Sequence, residues 1–145
     1  MSDVTDVQAE IIGRLQAMLA GVPDFGADVR EDSVAGVMDA DDPSLPSRLI
    51  VLQEGDTVER ERMPSGVKEE WTVNVVALGR GSGSAAALRA GRLAIKQALK
   101  GLKAGIQVDG LITVGFPASS VRLPEPGRRW GYRVIPITFT YHQKL

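Results

Sequence analysis

The sequence predicts one α/β domain of the α+β type: a mostly antiparallel sheet, two main helices packed on it, and a projecting charged β-hairpin. Three observations carry this. Two segments repeat apolar residues at helical intervals, several others have strand texture, and short Gly- or Pro-containing turns join them in series. The 145 residues are 43% hydrophobic and 24% charged, the profile of a single soluble domain spanning 1–145. A chain this long buries about 70% of its unfolded surface, so it needs no disulfide or metal staple.

The first helix is expected at about residues 4–20. Ser2 or Asp3 can cap it, Thr5 and Gln8 have capping-box spacing, and Val7, Ile11, Leu15, Met18 and Leu19 form one apolar stripe. Gly21 and Pro23 end it. A short strand is expected around Ala27–Glu31. The remainder of 24–47 has no sustained period, is rich in small, acidic and Pro residues, and reads as a long loop facing solvent or a partner. Its Asp39, Asp41 and Asp42 lack the spacing and terminal Glu of a calcium loop, so no metal is assigned there.

Arg48–Gln53 is almost wholly apolar, as in a strand covered on both faces. Gly55-Asp56 reads as a turn into Thr57–Arg62, whose charges on both faces keep it out of any core. Met63-Pro64-Ser65-Gly66 fits a turn with Pro second. Val67–Leu78 returns as a long strand with Trp71, Val73, Val75 and Ala77 on one face. Gly79–Ser84 is read as a plain linker, because it matches neither a P-loop nor GxGxxG. Ser84 is the expected cap of a second helix, about Ala85–Leu102, with Leu88, Ile95, Leu99 and Leu102 inward and Gly91 and Ala98 allowing close packing. A strand within Ile106–Phe116 is interrupted at Asp109-Gly110. Pro117–Arg129 is a second long loop with a short strand at Ser120–Leu123. Trp130–His142 closes the chain as a long strand, at an edge or bulged at Pro136, which has no N–H to donate.

Charge is divided along the chain. Residues 1–70 hold 16 Asp/Glu against 6 Lys/Arg, and residues 71–145 hold 2 against 11. Either the halves neutralise each other within one fold, or acidic and basic surfaces lie on opposite flanks and draw copies together head to tail. The second helix aligns Arg89, Arg92, Lys96, Lys100 and Lys103 with no acidic residue between them. A helix tuned only for solubility mixes Glu with Lys, so this stripe reads as a docking face for an acidic partner.

Chemistry leaves little trace. The chain has no cysteine and one histidine, which excludes disulfides, thiolate catalysis and Cys or His clusters for zinc. No GxSxG elbow accompanies His142, read as a surface residue of the last strand, and Glu69 and Glu70 point to opposite faces of theirs. Arg128, Arg129, Trp130, Tyr132 and Arg133 combine cations with aromatics, but aromatics packing on the sheet account for them. No apolar run reaches the roughly 20 residues of a membrane span, and the opening MSDVTDVQAE is unlike a signal peptide, so no membrane and a cytosolic origin are expected. The expectation is a protein that is not an enzyme and takes no cofactor.

The order of elements then suggests a family. An amphipathic N-terminal helix precedes RLIVLQEG, a charged hairpin, EEWTVNVVALG, a Gly/Ser link, a basic helix, a long loop and RRWGYRVIPITFTY. Over nearly the whole chain this resembles the tail terminator (tail completion, minor tail protein U-like) proteins of long-tailed bacteriophages. The resemblance implies a hexameric ring of this chain that caps the major tail tube protein, stops its polymerisation, and then meets the head–tail connector, with DNA only as passing cargo. Its location would be the virion tail, and the host cytoplasm during assembly. No catalytic residue carries over. From charge and exposure, the expected interface residues are Arg89, Arg92, Lys96, Lys100, Lys103, Asp39, Asp41, Asp42, Glu59, Arg60, Glu61, Arg62, Arg128 and Arg129. A neck or head–tail connector subunit is the alternative from the same virion. A small-molecule-binding α/β domain with its ligand at Gly79–Ser84 is the alternative from another class.

Overall fold

A computed structural model describes residues 4–117, 120–122 and 129–145. A six-stranded sheet in the order β1-β2-β3-β6-β4, with β5 also pairing β6, carries helices on both faces. The strands are β1 (Val29–Glu31), β2 (Arg48–Met63), β3 (Gly66–Arg80), β4 (Leu111–Gly115), β5 (Ser120–Arg122) and β6 (Trp130–Lys144). Every pairing is antiparallel except β1 with β2. The helices are α1 (Val7–Leu19), α2 (Val34–Ala40) and α3 (Ser84–Ala98).

The expected apolar stripe places α1 on the sheet, with Val7, Ile11, Leu15 and Leu19 buried and Met18 packed against the core. Its cap is Asp6 rather than Ser2 or Asp3: the carboxylate accepts from the N–H groups of Gln8 and Ala9. At the other end Ala20 stays right-handed, and the left-handed residue is Asp24, not Gly21. Trp71, Val73, Val75 and Ala77 share one face with Ile135, Ile137, Phe139 and Tyr141, as the period-2 reading requires, and α1 and α3 cover them. Gly91 permits the close approach of α3, since a Cβ there would lie 2.6 Å from the buried Phe25 ring.

Four expectations are corrected. The long loop of 24–47 contains α2, a third helix. Ser33 caps it through Gly36 N–H, and Val37 and Met38 pack on Leu49, Val51, Val76 and Leu78 on the sheet's second face. A third, short helix of seven residues thus joins the two main ones. Next, Gly55-Asp56 is a bulge inside one 16-residue strand, where pairing slips between Glu54 and Thr57, and not a turn between two strands. Then Gly79 and Arg80 belong to β3, Gly83 rather than Ser84 caps α3, and α3 stops at Ala98. Leu102 consequently lies in a 3-10 turn (Leu102–Gly105), 95% exposed rather than inward, and Lys100 and Lys103 fall beyond the helix. Finally, only Leu111–Gly115 of Ile106–Phe116 is strand, with Asp109-Gly110 ahead of it.

Pro136 sits in a strand with neighbours on both sides, yet its lack of an N–H is accommodated. β5 pairs β6 at Tyr132–Val134 and β4 pairs it at Thr138–Tyr141. The stretch between, centred on Pro136, has no strand on that side among the described residues. The strand is an edge only there, where Pro is tolerated.

Candidate assembly surfaces

Beyond the bulge, Thr57–Met63 of β2 is a charged edge of the sheet and not half of a projecting hairpin, because its partner segment Gly66–Trp71 of β3 pairs with β6 on its other side. Gln53 through Arg62 are all exposed. Glu59 stands opposite Glu69, a like-charge pair that would repel. Each carboxylate has a compensating donor. Arg62 grips Glu59 through two bonds of 2.7 and 3.0 Å, which holds the Glu59 carboxyl below its usual range. The Tyr141 hydroxyl donates to Glu69 at 2.9 Å while accepting from Gln8 Nε2 at 2.7 Å. Burial, the larger effect, pushes that phenol well above its ordinary value. Gln8 also donates to Thr57 Oγ1, so this edge strand is tied to α1. Arg60 reaches Glu70 at 3.1 Å on the opposite face. Exposed pairs of this kind add little stability, so they set the charge pattern of the edge more than its fold.

The basic helix is not arranged directly away from the core. Leu88, Gly91 and Ile95 point at the sheet, and Ala87, Ala94 and Ala98 pack on the core to one side. Arg89, Arg92 and Lys96 lie on the other side of that buried line, because helical spacing puts them there. Lys96 Nζ stands 5.7 Å above the ring of Phe116, just past β4. The cations thus form a flank of the molecule. Lys100 is exposed after the helix ends, and Lys103 donates from the 3-10 turn to the carbonyl of Leu111.

The acidic segment after Ser33 divides. Asp39 is exposed on α2. Asp41, in the left-handed conformation at the end of α2, turns inward. It accepts from Arg80 Nη1 (2.8 Å), Trp130 Nε1 (3.0 Å) and Arg129 Nε (2.7 Å). The Arg129 bond, followed by that from Arg80, holds its carboxyl below the usual 3.8 of an aspartate, although partial desolvation works the other way. Arg80 also donates to the carbonyls of Asp42 and Leu45 and lies 4.4 Å over the Trp130 ring. Asp42 caps its own turn by accepting from Ser44 N–H and Oγ. Asp41, Asp42 and Arg129, expected at an interface, therefore all bond within the chain, and Arg128 lies outside the described residues.

Sequence reasoning missed Arg80, which it left in a linker. Its signal was its place: it ends an apolar strand, and it pairs in register with Trp130. An open depression of about 600 Å³ beside the Gly81 loop, where the small-molecule alternative would put its ligand, contains Arg48 and Arg80. Both guanidinium groups donate to backbone carbonyls there: Arg48 to Arg80 O at 2.6 Å, Arg80 to Leu45 O at 2.6 Å. His142 is half-buried on the last strand, and its backbone N–H donates to Gly110 O. Among the described residues no helix is long and apolar enough to cross a membrane.

No family model and no curated protein matches the chain. Among solved structures, it is similar to a chain described as "Virion of native gene transfer agent (GTA) particle". The two are 17% identical with a TM-score of 0.61, and the match covers 96% of this chain and 98% of that one. What the two share is a fold, from end to end.

Proposed function

We propose that this protein is a structural subunit of a phage-like virion that assembles into a ring on the end of the tail tube, halts tube growth, and offers its outer face for head attachment. It acts by shape and charge and catalyses no reaction. The observation that carries the reading is the end-to-end likeness of fold to a chain of a gene transfer agent virion. Two features of this chain support it independently. One edge of the sheet, Gln53–Arg62 of β2, is exposed and charged, the sort of element that reaches a neighbour. Cations gather on one flank instead of being dispersed.

The mechanism is geometric. A ring complementary to the tube on one face, and to no further tube subunit on the other, stops addition. The partners are the chain itself, in a hexamer, the tube protein and a connector, with DNA passing through. Removing the gene from its phage or prophage tests this: tails should overgrow to lengths well beyond normal in electron micrographs. Tails of normal length left unattached to heads would instead assign the connector role, and normal attached tails would overturn both.

A further inference from the structure

We infer that the cationic flank of α3 docks against an acidic groove on the opposite flank of a second copy of the same chain. This rests on the ring reading above and names the two surfaces that would meet. The groove lies between α1 and the β1–β2 edge and encloses about 340 Å³. Asp6, Glu31 and Glu54 line it, together with Ile12 and Trp71. Glu10 and Asp56 are exposed on the same elements. Among the described residues, Glu10, Glu31, Glu54 and Asp56 form no ion pair within the chain.

The other surface is at the far side of the sheet, three strands from β2 in the order β1-β2-β3-β6-β4. Arg89, Arg92 and Lys96 face that side, and among the described residues none of them has a carboxylate partner. Exposed apolar side chains accompany them: Phe116 beneath Lys96, Ile112 on β4, and Leu102 in the 3-10 turn that packs on β4. Apolar surface with a cationic border is what an interface buries, and a lone surface helix has no use for it. Because the two complementary surfaces lie on opposite flanks, one copy cannot satisfy itself. The contact is heterologous, and repetition closes a ring if the rotation permits. The same charges steer encounter and reject a reversed neighbour, which would bring like charges together.

The test uses two variants of the full chain, Arg89→Glu/Lys96→Glu and Glu31→Lys/Glu54→Lys, with sedimentation velocity at low and high salt. All four positions lie at the surface, and an unchanged melting temperature verifies folding of each variant. Each alone should self-associate at least about tenfold more weakly than the parent, the effect of about 1.4 kcal/mol, with the difference shrinking as salt is raised. Mixed one to one, every contact again joins opposite charges, so association should return and rings should alternate the two variants. A parent that assembles while either variant assembles equally well, or while the mixture fails to recover, overturns this inference and leaves the ring reading standing. A parent that stays monomeric both alone and on tail tubes overturns the ring reading as well.

Discussion

Trp71→Ala is expected to lower the free energy of unfolding by about 3–5 kcal/mol, the cost of emptying a large aromatic site in a packed core. Trp71 is fully buried at the centre of the sheet face that α1 covers, with its ring 6.0 Å from Phe139. Its sheet neighbours Thr57 and Phe139 belong to β2 and β6, and α1 lies over it, so the surroundings cannot collapse into the space by moving one loop. The indole N–H is buried without a partner among the described residues, and leaving such a group unsatisfied costs about 1–3 kcal/mol. Trp71→Phe removes that liability along with some volume, and should therefore be much milder than the alanine change. Urea denaturation followed by circular dichroism measures both. Equal losses for Phe and Ala would mean that the indole N–H has a role this packing does not give it.

The second large effect is expected from Arg80→Ala. The Arg80 side chain is only 10% exposed and bridges β3 to α2 through Asp41, the carbonyls of Asp42 and Leu45, and the Trp130 ring. Its loss leaves several acceptors without their donor at once, so a cost of about 1–3 kcal/mol is expected, the range for stranding hydrogen-bonding groups. The damage should be local first. Amide exchange should rise across α2 while α1 and α3 keep their protection. Acid should act on the same clasp. The carboxyl of Asp41 titrates lower in the folded chain than unfolded, so its contribution is present above the usual 3.8 and is lost as pH falls through the lower folded value. Exchange at α2 should therefore accelerate below about pH 4, and it should do so less in Asp41→Asn, which has no charge to lose.

Why α2 was missed follows from the same residues. Its seven residues bury only Val37 and Met38, with Gly36 in the middle and three aspartates at its end, so local composition reads as loop. Only Ser33 announced a helix start. What stabilises it comes from Arg80, Arg129 and Trp130, which are 39, 88 and 89 residues from Asp41 along the chain. The bulge at Gly55-Asp56 was equally illegible, since continuing or turning depends on Thr72 of the partner strand, whose carbonyl lies 3.1 Å from where a Gly55 Cβ would be. By contrast, α1, β3 and β6 were readable because each alternates between a buried and an open side over many residues. For the candidate surfaces the position is mixed. Helical spacing identified the cations of α3, but only the packing of Ala87, Ala94 and Ala98 decides that those cations border the sheet's far side. The acidic groove brings together Asp6, Glu31 and Glu54 from three elements, a juxtaposition no local pattern contains.

In the proposed function this chain ends a polymer by fitting onto it. The most direct measurement adds the purified protein to its cognate tube protein during polymerisation and records tube lengths by electron microscopy. Shorter tubes, each carrying an extra ring at one end and refusing further subunits, are the expected result. An unchanged length distribution, with the protein left unbound in solution, would contradict the account.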